Sequence, residues 1–322
     1  MAAPKSPRKG SLQFWPRKRA RKFLPRVNYT TLTNVNSKGK LIGFIAYKAG
    51  MKSAIVKDET ENSMTKGKRI AVPVTILECP NMKIFSVRLY QYGIVKKEMI
   101  IDENVKADAK DLRRKLKVPK SGGRSLDNIK AEDYDNVSVI VYSKVRDSNI
   151  KKTPDLSEIA INGNSVEEKL AWVKENKNKE ISVMDVIGKG DLIDTRGLTK
   201  GKGLVGPVKR FGITLKSHKS EKGRRKPGSL GPWHPARTTY MAPMAGQLGM
   251  FTRVVYNNKV IDVVKGSEKP ILGIKNYGNV KSNYVIVRGS VQGAAKRQII
   301  ITPAFRGTRK QGKKKLELIE MR

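Results

Sequence analysis

Apolar positions are unevenly spread along this chain. From Leu41 onward, Ile, Val, Phe and Tyr crowd into short runs at Leu41–Ala46, Ile70–Leu77 and Ile84–Tyr92, separated by turn residues such as Gly50 and Cys79-Pro80-Asn81. Branched and aromatic side chains bounded by Gly, Pro and Asn predict strands. Val137–Tyr142, Tyr284–Val287 and Gln298–Thr302 repeat the pattern. Phe251–Tyr256 and Lys259–Val264 flank Asn257-Asn258, a pair suited to positive φ, which predicts a hairpin. Short strands dispersed over the chain point to a mainly β fold, α+β overall, with a barrel or sandwich core. Helical spacing is confined to the middle. Ser165-Val166-Glu167-Glu168 reads as a capping box, and Val166, Leu170 and Val173 then share one helix face. Val105, Ala109, Leu112 and Leu116 do the same, so 101–180 reads as a helix-containing insertion into the β core.

Two stretches lack either period. Ser6–Arg26 interleaves basic residues with Phe14, Trp15 and Phe23 and is broken by Pro7, Pro16 and Pro25, which forbids a long helix. Such a segment has no apolar face to bury in water and is suited to ordering on RNA. There Arg8, Lys9, Arg17, Lys18, Arg19, Arg21 and Lys22 neutralise phosphate, and Phe14 and Trp15 stack on bases. The second stretch, Thr214–Gly249, is punctuated by Gly and Pro, basic in its first half and apolar in its second. A structureless loop of that length is functional or disordered. Trp233, bounded by Pro232 and Pro235, is costly to leave in water: it either folds back on the core or, the favoured reading, inserts into a crevice of a partner.

Charge sharpens this division. The 322 residues carry 67 Lys and Arg against 28 Asp and Glu, a net +39. Residues 101–190 are nearly neutral at +2, whereas 1–30 carry +9, 191–260 carry +11 and 261–322 carry +10. Segregated charge marks a face that meets phosphate. Arg306–Lys315, with six basic residues in ten, reads as a further phosphate-binding tail. No apolar run approaches the ~18 residues of a membrane span, and the first ten residues show no signal-peptide core. The single cysteine, Cys79, excludes an internal disulfide and reads as a buried thiol.

Candidate chemistry is sparse. Gly201-Lys202-Gly203-Leu204-Val205-Gly206 matches a dinucleotide fingerprint, but Pro207 follows at once, Val208–Gly212 reads as non-helical, and the nearby acid is Glu221 in a basic loop. Those glycines more simply let backbone amides and Lys200, Lys202, Lys209 and Arg210 approach phosphate. His218 and His234 could serve a nuclease as acid and base, yet Glu221 alone is near enough in sequence to orient either. No His/Asp/Glu set has metal-ligand spacing, and no cofactor is expected.

Several segments in order resemble a known family. Ser6–Arg21 (SPRKGSLQFWPRKRAR), Thr199–Gly203 (TKGKG) with Gly206–Arg210, Gly228–Arg237 (GSLGPWHPAR) with Ala245–Gly249 (AGQLG), and Tyr284–Arg297 (YVIVRGSVQGAAKR) are similar to the large-subunit ribosomal protein family L-three. Lys152–Asp155 and Val166–Leu170 resemble the insertion of its archaeal members, and the lack of a longer C-terminal extension also points to the archaeal form. The resemblance implies a split β-barrel with an inserted α/β subdomain and long non-globular basic extensions. It implies a structural, non-enzymatic constituent of the cytoplasmic large subunit that binds its rRNA early in assembly. It also implies protein neighbours of the L-fourteen and L-twenty-four-e types, with no membrane and no small-molecule substrate. On that pattern Trp233, His234 and Pro235 form a loop tip near the peptidyl-transferase centre. Lys216, Lys219, Lys222, Arg224, Arg225 and Lys226 line the path inward, Arg237 and Arg253 flank the return, and Lys296 and Arg297 lie in the last barrel turn.

The expected division is an arm over 1–36, a β core over 37–100, 181–213 and 250–304, an insertion over 101–180, an internal loop over 214–249 and a tail over 305–322. The sequence also admits two rivals: an rRNA-processing nuclease built on His218 and His234, and an architectural DNA-binding protein favoured by charge alone.

Overall fold

The computed structural model describes residues 9–29, 40–118 and 129–322. Arg8 and the parts of the expected arm and insertion at 1–8, 30–36 and 119–128 lie outside them. In chain order the first elements are β1 (Phe44–Asp58), β2 (Arg69–Glu78), β3 (Met82–Gln91), β4 (Ile94–Ile100), α1 (Asp102–Ala107), α2 (Ala109–Leu112), β5 (Asn136–Ser143), β6 (Leu156–Ala160) and α3 (Val166–Asn176). There follow β7 (Leu192–Leu198), β8 (Leu204–Val205), α4 (Pro207–Phe211), β9 (Gly246–Gln247) and β10 (Thr252–Val264). The chain closes with β11 (Ile271–Ile274), β12 (Gly278–Val280), β13 (Tyr284–Arg288), β14 (Gln298–Pro303), α5 (Arg309–Gly312) and β15 (Leu316–Met321). The fold is mainly β, with few and short helices.

Two compact units emerge, one from 1–22 with 198–253 and one from 23–197 with 254–322. In the larger, a sheet runs in the order β14-β7-β10-β13-β2-β1-β15, and β14 pairs also with β1, so the ladder returns on itself. Phe44 faces Ile301 across β14, and Tyr47 faces Glu78 across β2. The reason is visible in the residues. Phe44, Ile45, Leu77, Val285, Val287, Ile299 and Ile301 are all fully buried in one cluster. Ala54, Val56, Val74, Ile76, Ile261 and Ile286 fill a second. Cys79 is buried, and burial pushes its thiol well above the ordinary value, so it stays a protonated core side chain.

A second, antiparallel sheet has the order β4-β3-β5-β6. Residues 82–100, assigned from the sequence to the core with 37–81, therefore pair with the insertion strands: Val87 faces Val139, and Val139 faces Ile159. Helix α3 buries Leu170 and Val173 as the spacing predicts, and the Ser165 side chain caps it by accepting from the Glu168 amide at 3.2 Å. The reciprocal half of the box is displaced by one residue, since Glu168 accepts from the Asn164 amide and from Lys40.

Four expectations are corrected. Asn257 does take positive φ (56°), but β10 runs straight through it. The Asn257 amide donates to the Asp194 carboxylate at 2.9 Å, and the register shifts further along, between Val260 and Asp262. The turn-prone pair is thus spent on an irregular strand rather than a hairpin. The single helix expected over Val105–Leu116 is instead two short ones, broken at Asp108, whose φ and ψ of −108° and 21° leave the helical region. The second ends at Leu112, although Val105, Leu112 and Leu116 still share one apolar cluster. Val208–Gly212 is not free of helix: Pro207 occupies the first turn of α4 and Gly212 ends it at φ 71°, so proline starts this helix. The 305–322 segment ends in β15, which pairs with β1 from Asp58–Leu316 to Ala54–Met321.

Candidate nucleic-acid interface

The unit formed by 1–22 and 198–253 holds 20 Lys and Arg and one carboxylate, Glu221, a net +19. Its architecture begins at the glycine signature. β8 lies inside the fingerprint, between Gly203 and Gly206, and pairs with β9 on the return of the long loop. The Lys202 amide donates to Leu248 O at 3.0 Å, and the Leu248 amide to Gly203 O at 2.9 Å. Gly249, at φ 79°, passes so close to the Lys200 carbonyl that a Cβ there would overlap it. Gly201 and Gly246 likewise lie against Met250 and Arg210, so these glycines serve close packing of the two loop roots. β7 does precede the fingerprint and α4 follows it, but α4 has only five residues and β8, inside the fingerprint, is taken up by pairing with β9.

Arginines tie this packing together. Arg210 donates from Nε to Gln247 O at 3.0 Å and from Nη1 to Met244 O at 3.0 Å. Arg17 donates to Arg210 O at 2.9 Å, and its guanidinium lies 4.2 Å over the Phe211 ring. Trp15 stacks on Phe211 with centroids 5.9 Å apart and meets Tyr240 edge-on at 5.7 Å. Arg253 lies over Phe14 at 4.1 Å, and the Ala20 amide donates to Met250 O at 2.9 Å. Burial lowers the Arg210 and Arg253 guanidinium values from the ordinary one, as partial loss of water demands. Trp15, Arg17, Arg210, Phe14 and Arg253 are thus engaged within the protein. Tyr240 and Phe211 were not singled out in the sequence, where neither stands in a recurrent pattern.

The remaining cations point outward. Lys18, Arg19, Arg21, Lys22, Lys200, Lys202 and Lys209 are exposed, and Lys9 is half-buried. In the long loop Lys216, Lys219, Lys222, Arg224, Arg225, Lys226 and Arg237 are all exposed. One rung crosses it, where the Lys216 amide donates to Arg224 O at 3.1 Å and Arg224 Nε returns to Lys216 O at 3.2 Å. From Gly231 to Met241 every residue is exposed, with Trp233 at 88%. His218, Glu221, His234 and Pro235 share that exposure. In the larger unit Lys296 is exposed at φ 64°, beside the buried Lys48, and Arg297 lies 5.2 Å over Phe23. Among the described residues no group of three or more His, Cys, Asp or Glu could hold a metal ion, and no helix is long and apolar enough to cross a membrane.

Fold and site together define a mainly β protein that presents clustered cations and exposed aromatic rings. The family model "Ribosomal protein L3" matches residues 1–322. The chain is 39% identical over 311 residues to "Large ribosomal subunit protein uL3" of Methanococcus aeolicus, covering 93% of this chain and 91% of that one. Its counterparts in Methanocaldococcus jannaschii and Methanothermobacter thermautotrophicus are 37% and 36% identical, covering 93% and 97% of this chain and 91% and 95% of theirs. The chain belongs to the ribosomal protein L3 family, and it is a structural constituent of the cytoplasmic large ribosomal subunit, not an enzyme.

Proposed function

We propose that this chain binds large-subunit rRNA chiefly through the unit of 1–22 and 198–253, promotes early subunit assembly, and supports the peptidyl-transferase centre with the 214–249 loop. One observation carries the reading: 20 cations against a single carboxylate in that unit, most of whose described cations are exposed. Self-repulsion at that density is relieved by a polyanion, and release of its counterions drives binding. The exposed lysines and arginines line the RNA path, and Trp233, His234 and Pro235 form the tip. The returning ladder of the larger sheet is the split β-barrel body, and the four-stranded sheet with its helices faces protein neighbours of the L-fourteen and L-twenty-four-e types.

With about ten phosphates neutralised, log K against log salt has a slope of roughly −7 to −9. The deciding experiment is sedimentation of the native protein from lysate at moderate and high salt, with and without ribonuclease. Co-migration with the large subunit that survives salt but not ribonuclease supports the reading. Migration as free protein or with DNA overturns it.

A further inference from the structure

The segment from Arg306 to Lys315 has the composition of a loose basic tail, but the structure pins it at three points. The Thr308 amide donates to Asn257 Oδ1 at 3.4 Å. The buried Lys259 extends its ammonium to Gly312 O at 3.1 Å, closing the end of α5. The Lys315 amide donates to Thr60 Oγ1 at 3.1 Å, while its carbonyl accepts from the Glu59 amide at 2.9 Å. Arg306, ahead of these pins, and Arg309, Lys310 and Lys313, between them, are exposed, and Lys314 is half-buried. Of the six cations, only Lys315 has an ion-pair partner among the described residues, Glu61 at 2.8 Å. Arg288, at the end of β13, adds a cation from a different element: burial, then repulsion from Arg288 and Lys310, pushes the Lys314 ammonium below its ordinary value, with Asp58 opposing.

Holding like charges together in a fixed backbone is unfavourable unless a polyanion offsets it. Lys259 makes the point more strongly. A lysine is taken out of water to fix one carbonyl of a four-residue helix whose remaining side chains bury little. A floppy tail would lose that ordering entropy on meeting RNA; a pinned one has already lost it.

We propose that Arg309, Lys310 and Lys314, with Arg288, form a second, preorganised site for the phosphate backbone of large-subunit rRNA, and that Lys259 is its positioning residue. This rests on the rRNA reading above, but the site uses no residue of the arm or the loop. The chain would then grip two separate stretches of backbone, which suits a protein that locks distant RNA segments during assembly.

The test uses the full chain, a transcript of the large-subunit rRNA, hydroxyl-radical footprinting and the salt dependence of binding. K310Q/K314Q is compared with the loop variant K222Q/R224Q/R225Q, each checked for intact unfolding in urea. The expected result is a salt slope shallower by about 1.5 for K310Q/K314Q, at ~0.7–0.9 per lost contact, with one protected stretch lost that the loop variant keeps. A change of slope and footprint in the loop variant alone overturns this site and leaves the rRNA reading standing. No protection and no change in either variant overturns both. Lys259→Met should erase the same stretch as K310Q/K314Q while Lys259→Arg retains it; an intact footprint in a folded Lys259→Met protein rejects the positioning role.

Discussion

The two units of this chain are ordered by different physics. The unit of 23–197 and 254–322 has 47 basic and 27 acidic residues, and many of its carboxylates are matched: Glu158 takes Arg88 at 2.9 Å, and the buried Asp155 takes Lys151 at 2.5 Å and Lys115 at 3.3 Å. Its strands close over clusters of wholly buried Ile, Val and Phe. The unit of 1–22 and 198–253 buries Leu198, Phe211, Ala242 and Phe251 and is otherwise joined by arginine–carbonyl bonds and stacked rings. Burial at ~25 cal/mol per Å² stabilises the first without help. The second keeps its charge uncompensated, which is how a surface is kept available for a polyanion.

The largest effect expected on this contrast comes from the core. Phe44→Ala, at a wholly buried position of β1, should cost about 3–5 kcal/mol in urea unfolding. A loss under 1 kcal/mol would mean that the sheet does not carry the stability of the larger unit.

Arg210→Lys comes next and sharpens the division. The charge stays, but the fork that reaches Gln247 O, Met244 O and Ala245 O is lost. Hydrogen exchange at 246–250 should speed by a factor matching about 1–2 kcal/mol of easier local opening, while amides of Ile76 and Leu77 in β2 keep their protection. Equal acceleration in both places would erase the distinction between the units.

A third, smaller effect is confined to acid. Hydrogen bonds from Thr60 and Thr65, then Ser63, hold the buried Asp58 carboxyl far below the usual carboxylate range. A depressed folded-state value means stability that is full above the unfolded value of ~3.9 and is lost as pH falls below it. Asp58→Asn should therefore flatten the loss of stability on the acid side of pH 4 and leave the unit of 1–22 and 198–253 unaffected. An unchanged acid limb would assign acid lability to other carboxylates.

The strands were legible because Ile, Val and Phe recur where a pleated, buried surface needs them, and α3 because its cap and its apolar face agree. Asn257 was misread because positive φ is common to a hairpin turn and an irregular strand, and only the Asp194 carboxylate distinguishes them. β15 was hidden by the lysines before it, since Leu316, Leu318 and Met321 reach the core only through pairing with β1. At the interface the cations were legible as charge, but their division of labour was not. Arginine carries both a charge and five donors, so Arg17 and Arg210, which hold backbone carbonyls, look in sequence like Arg225 and Arg237, which face solvent.

Trp233→Ala carries the smallest expected change in the free chain and the most pointed consequence. At 88% exposure the indole packs on almost nothing, so unfolding stability should move by less than about 0.5 kcal/mol. The indole carries no charge to neutralise a phosphate, so affinity for rRNA and the salt slope should hold nearly constant. A large indole held in water between Pro232 and Pro235 is unfavourable in the free protein and becomes favourable only against a partner. If that partner is the RNA around the catalytic centre, mutant ribosomes should assemble normally yet show altered peptide-bond rates and sensitivity to drugs that act there. Ribosomes indistinguishable from wild type in both would remove the tip from the peptidyl-transferase centre and leave the loop a purely electrostatic strut. A large loss of stability in the free chain would instead mean that Trp233 is a packing residue, and the contrast between the two units would fail at its most exposed point.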